Sequence, residues 1–87
     1  MAFSRGTFAQ SLAGRDRGCW YVVLESTAER VIVSDGRLHP VEHPKKKNPR
    51  HLQPDHRDSG VFRAGASEHP AEQNAAIRNA IKNLKRS

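Results

Sequence analysis

At 87 residues and 9.7 kDa, the chain is one small domain, which excludes a two-lobed enzyme with its substrate between lobes. Hydrophobic residues make up 36 % of it and the mean hydropathy is −0.78, so the core is expected to be smaller than the chain. The net charge of +6 points to an anionic partner, nucleic acid before a membrane surface.

A single cysteine, Cys19, excludes an intramolecular disulfide and implies no oxidising compartment. No apolar run approaches the ~18 residues of a membrane span, and Met1 to Gln10 lacks the apolar stretch of a secretory leader. The expectation is a soluble, cytoplasmic protein. The charge is uneven. Residues 1–42 carry five basic and five acidic groups, whereas residues 43–87 carry ten basic and four acidic groups and therefore the entire +6.

In chain order, Thr7 to Leu12 mixes polar and apolar residues and reads as an edge strand. Gly14-Arg15-Asp16-Arg17-Gly18 is a turn bracketed by glycines. Cys19 to Leu24, CWYVVL, is a strand by length and by its aromatic and β-branched content. Arg30 to Ser34 is a second β-branched run. Asp35-Gly36 then signals a hairpin, with Leu38 to Val41 as the returning strand and Pro40 marking an edge or a bulge. In HPKKKNPRHLQP, from His43 to Pro54, three prolines argue against a helix and Lys45 to Lys47 read as too basic for a core. Arg50 to Gln53 adds a last short strand. Four or five short strands joined by turns predict a mostly β fold, a small barrel over residues 1–54.

Residues 55–69 read as a polar, glycine-containing linker open to disorder, with Val61 and Phe62 as its only large apolar anchors. Residues 70–87 form a basic C-terminal helix. Pro70 suits its first turn, and Ser67 or His69 its cap. Ala76, Ile77, Ala80, Ile81 and Leu84 make an apolar stripe, and Glu72 near the start with Lys82, Lys85 and Arg86 near the end complement the helix dipole. About four turns are marginal alone in water, so the helix needs a partner surface. Loose docking on the barrel is the favoured reading. The alternatives are folding on RNA with Arg78, Lys82, Lys85 and Arg86 toward phosphates, or capture of a protein partner.

Gly6, then AGRDRG, WYVVLE, RVIVSDGRLHPVEHPKKK and RHLQ, together resemble a bacterial KOW-domain RNA-binding protein, similar to a KOW-containing family of archaeal and eukaryotic large-subunit ribosomal proteins. The resemblance covers residues 6–53. It implies an SH3-like barrel of about five strands, contact with structured and often ribosomal RNA, and Gly18 as the glycine that KOW domains hold in this loop. His39-Pro40, His43 and Asn48-Pro49 depart from the pattern within the basic loop.

The candidate RNA-binding residues are Gly14, Arg15, Arg17, Gly18, Lys45, Lys46, Lys47, Arg50 and His51, with Arg57 nearby. Two glycines let the turn tighten, arginines grip phosphates bidentately, lysines act as point charges, and Asp16 braces the turn. Trp20 and Tyr21 are adjacent and so face opposite sides of a strand, with at least one of them in the core. His39 and His43 lack metal-site spacing, Cys19 reads as a small buried residue, and no motif orders a nucleophile with a base. Neither enzyme activity, cofactor nor metal is expected. The competing reading is a protein-interaction module of the transcription or translation machinery, anchored on Trp20 or Phe62.

Overall fold

The computed structural model describes residues 2–86, so Met1 at the expected start of the barrel and Ser87 at the expected end of the helical segment lie outside it. Five strands, β1 (Thr7–Ser11), β2 (Trp20–Ser26), β3 (Val31–Ser34), β4 (Lys45–Lys47) and β5 (Leu52–Asp58), precede one helix, α1 (Pro70–Lys85). A short 3-10 turn, Pro49–His51, separates β4 from β5. The strands form one antiparallel sheet in the order β4-β3-β2-β1-β5, a barrel-like meander whose last strand returns to the first. The fold is therefore mostly β, as the turn spacing predicts.

β2 carries the fold. Its alternate side chains divide between two clusters: Tyr21 and Val23 join Ala9, Val31, Val33 and Leu52 on one face. Trp20, Val22 and Leu24 join Phe8, Val61, Ile77 and Ile81 on the other. A strand covered on both faces has no reason to alternate with polar residues, which accounts for the unbroken WYVVL. Of the two neighbouring aromatics, Tyr21 is sealed in the core and Trp20 lies partly covered beneath α1.

Four expectations are corrected. β1 is not an edge, because β2 and β5 flank it and β4 and β5 are the edges of the sheet. Leu38 to Val41 is not a strand. Asp35 Oδ1 accepts from the N–H groups of Arg37 (2.9 Å) and His39 (2.8 Å), and Ser34 Oγ accepts from Gly36 N–H (3.0 Å) and donates to the His39 carbonyl (2.7 Å). These local bonds satisfy the backbone inside the turn and leave nothing for a ladder. Leu38 stands 79 % exposed, and Lys45–Lys47 pairs with β3 instead. Third, β5 runs on to Asp58, so the sheet takes the first four residues of the expected linker. The rest is pinned by Val61, buried in the second cluster, by Ser59 N–H to the Gly6 carbonyl (2.8 Å), and by Phe62 beneath the Arg5 guanidinium (4.1 Å).

The fourth concerns α1, which is firmly seated rather than loosely docked. Ile77 and Ile81 are buried against Phe8 and Val22, and polar bonds fix the axial position. Buried Asn74 accepts from Val41 N–H (2.8 Å) and donates to Glu42 Oε1 (2.7 Å), while Arg78 donates to the Gly36 carbonyl (2.6 Å). Asn74 thus partners a backbone group that the missing strand left unpaired. Asn74→Leu is expected to lower stability by about 1–3 kcal/mol in urea titrations, because Val41 N–H loses its acceptor. The helix N-cap is His69, which makes no side-chain cap bond. Ser67 Oγ, two residues before it, accepts from His69 N–H (3.1 Å).

Candidate nucleic-acid interface

The turn between β1 and β2 is built around a carboxylate. Gly14 and Gly18 both adopt positive φ (87° and 89°), and Gly18 N–H returns to the Ser11 carbonyl at 2.8 Å, closing the loop on itself. Asp16 turns inward between them. Its Oδ1 accepts from Ser11 Oγ (2.9 Å) and Lys47 Nζ (3.1 Å), and its Oδ2 accepts from Tyr21 Oη (2.6 Å). Lys45 Nζ is a further ion-pair partner at 3.4 Å. Burial alone would raise the Asp16 pKa. The hydrogen bonds from Tyr21, Lys47 and Ser11 outweigh it and hold the carboxyl well below the usual carboxylate range. Burial first, and then donation to Asp16, push the Tyr21 phenol well above its ordinary value.

Lys47, expected among the outward cations, instead points into the fold. It is 8 % exposed, and its three ammonium donors go to Ser11 Oγ, the Ala13 carbonyl and Asp16. A lysine in a core is tolerated where its charge is matched and its donors are filled; Asp16 supplies the counter-charge, and Ser11, the Ala13 carbonyl and Asp16 together fill the donors. The expectation that the whole lysine run stays out of the core fails here. Strand alternation divides the three lysines: Lys45 and Lys47 meet Asp16, and exposed Lys46 faces the other side of β4.

The structure brings several of the expected residues together. With Asp16 turned in, Arg15 and Arg17 stand exposed on the loop rim. The Leu12 N–H bonds to the His51 carbonyl (2.8 Å), so the 3-10 turn carrying Arg50 and His51 abuts the root of the same loop. Asn48 caps that turn by accepting from Arg50 N–H (2.9 Å). Arg50 lies beside Ala28, Glu29 and Arg30 of the β2–β3 turn. Arg15, Arg17, Lys46 and Arg50 have no ion-pair partner among the described residues. Arg57 differs, since it forks onto Asp55 through Nε (3.0 Å) and a terminal nitrogen (2.7 Å), which lowers the Asp55 pKa to about 2.

Ser11, Asp16, Tyr21 and Lys47 are residue types that serve as nucleophile, base and acid elsewhere. Here they bond to one another, Ser11, Tyr21 and Lys47 are buried, and the network fixes the loop. Cys19, expected to be buried, is exposed because it follows the Gly18 turn rather than lying in β2. Among the described residues no group of three or more His, Cys, Asp or Glu could hold a metal ion, and no helix is long and apolar enough to cross a membrane.

The GRDRG spacing pointed to the loop and to its outward arginines. A bracing role for Asp16 within the turn was legible too; its ion pair with Lys47 was not, because Lys47 lies 31 residues away and only the β3–β4 pairing delivers it. No protein-family model matches the sequence, and no curated protein matches it.

Proposed function

We propose that the chain is an RNA-binding module that grips structured RNA, ribosomal RNA foremost, through phosphates. One observation carries the reading: the Asp16 network holds the Gly14–Gly18 loop in a single shape with two unpaired arginines outside, beside Arg50 and His51. Arginines on a rigid loop lose less freedom on binding than arginines on a flexible one. The resemblance to KOW-domain RNA-binding proteins over residues 6–53 supports the same reading, and with it a cytoplasmic place in the translation machinery. Few groups here read bases, so binding follows shape and charge rather than sequence.

With Arg15, Arg17, Lys46 and Arg50 as about four phosphate contacts, log K should fall against log salt with a slope of roughly −3 to −4. The test is a filter-binding titration of ribosomal RNA against salt, with a triple variant Arg15→Ala/Arg17→Ala/Arg50→Ala that leaves Lys47 in place. The expected result is at least tenfold weaker binding and a slope shallower by about 2 to 3, with an unchanged Tm. Unchanged affinity and slope in the folded variant would overturn the proposal. The protein-interaction alternative draws on Leu38, the most exposed large apolar side chain among the described residues, and it predicts binding that persists in high salt.

A further inference from the structure

On the far side of β2 from the tyrosine, α1 and the β3–β4 turn leave an open groove of about 540 Å³. Trp20 forms part of its wall, and Arg37, Arg78, Lys82 and Lys85 converge on it from two separate elements. The one carboxylate present, Asp35, is already engaged with two backbone N–H groups of its turn. Four cations therefore face a single occupied acid. None of the four belongs to an ion pair among the described residues, and only Arg78 spends a side-chain donor, on the Gly36 carbonyl.

The helix dipole favours Lys82 and Lys85 near the C-terminus, but it says nothing of Arg37, which arrives from the β3–β4 turn. Arg78 and Lys82 are four apart, and Lys82 and Lys85 three apart, so they repel along one helix face at some cost to the helix. At 1.5 Å per residue, the row extends over about 10 Å. That length is enough to meet two neighbouring phosphates of one strand. The groove also continues the loop described above: Cys19 lines it, and Cys19 follows Gly18 directly.

We propose that this groove takes a single-stranded RNA segment, with its phosphates on Arg37, Arg78, Lys82 and Lys85 and a base against the open part of Trp20. The proposal rests on the RNA-binding reading and deepens it, by adding an unpaired strand to the structured RNA gripped at the Gly14–Gly18 loop. An aromatic beside a cationic row is the arrangement that binds single strands without reading their sequence.

Trp20 is the only tryptophan, so its fluorescence reports on the groove. The probe is a ten-nucleotide oligouridylate titrated into the full chain, with polyglutamate at equal charge as a second probe. The comparison variant is Arg37→Ala/Lys82→Ala/Lys85→Ala, all exposed side chains without ion pairs. The expected result is strong quenching of Trp20 by oligouridylate, at least tenfold weaker binding in the variant, and little response to polyglutamate. Oligouridylate binding without quenching, or with no loss in the variant, would overturn the proposal. So would equal quenching by polyglutamate, which would mark a general polyanion site. The two readings fail separately. Loss of ribosomal RNA binding only on changing Arg15, Arg17 and Arg50 removes the groove and keeps the loop. No RNA binding by the unchanged chain removes both.

Discussion

Asp16→Ala is expected to destabilise the fold by about 3–5 kcal/mol, a large share of what a domain of this size possesses. The substitution leaves the Lys47 ammonium buried with no counter-charge, and it takes away an acceptor from both Tyr21 Oη and Ser11 Oγ. Lys45 cannot help, because it is a cation itself. Urea titration measures the loss. The double variant Asp16→Asn/Lys47→Met separates the cause, since removing both charges should restore most of the stability that Asp16→Asn alone forfeits. Costs that simply add would show that the two residues act independently.

The same carboxylate sets the acid limit of the fold. Its pKa is depressed in the folded state, so its contribution is complete above the ordinary carboxylate value near 3.8 and is lost as pH falls below that toward the folded value. Tyr21 works in the opposite sense. Its raised pKa leaves its contribution intact below its ordinary value of 10, and stability is lost as pH climbs above that. Stability measured from pH 6 to pH 2 should therefore fall less steeply in Asp16→Asn/Lys47→Met than in the unchanged protein. Parallel curves would remove Asp16 from the account.

Gly36→Ala should displace α1. Gly36 has φ +72°, and a Cβ built on it would collide with the Asn74 carbonyl oxygen and lie 3.2 Å from its carbon and 3.1 Å from Arg78 Cγ. Backbone cannot swing aside as a side-chain tip does, so the helix or the turn has to move. Left-handed strain of about 1–2 kcal/mol combines with an overpacking cost of about 1–3 kcal/mol. Hydrogen exchange should quicken in the amides of residues 74–85, and Trp20 fluorescence should shift as the second cluster opens. Gly60→Ala is the control: its φ is +78°, but nothing lies within 4 Å of the added Cβ, so only the strain applies. Equal effects of the two substitutions would show that close helix contact is not what Gly36 provides.

Much of the molecule was legible along the chain because the governing physics is local. Runs of β-branched and aromatic residues marked β2 and β3, glycines at positions 14 and 18 marked a turn that needs positive φ, and three- and four-residue spacing marked α1. Val61 and Phe62 stood out as the anchors of an otherwise polar stretch, and the structure packs both in the second cluster. What stayed hidden was long-range pairing. The hairpin after Asp35-Gly36 returned on Lys45–Lys47 rather than Leu38 to Val41, because Ser34 and Asp35 captured the intervening backbone.

The same distinction governs the basic residues. Composition by itself determined that the second half is cationic and that the expected partner is anionic. Only the tertiary structure decided which cations face outward. Lys47 was drawn into the core because β4 aligns it with a carboxylate on a loop 31 residues earlier, and Arg57 was paired by Asp55. Arg37 was carried beside Lys82 and Lys85 because Asn74 and Arg78 seat the helix on the β3–β4 turn. Charge is a property of residue type and can be counted along the chain. Whether a charge is buried, paired or free depends on neighbours that only folding brings within a few ångströms.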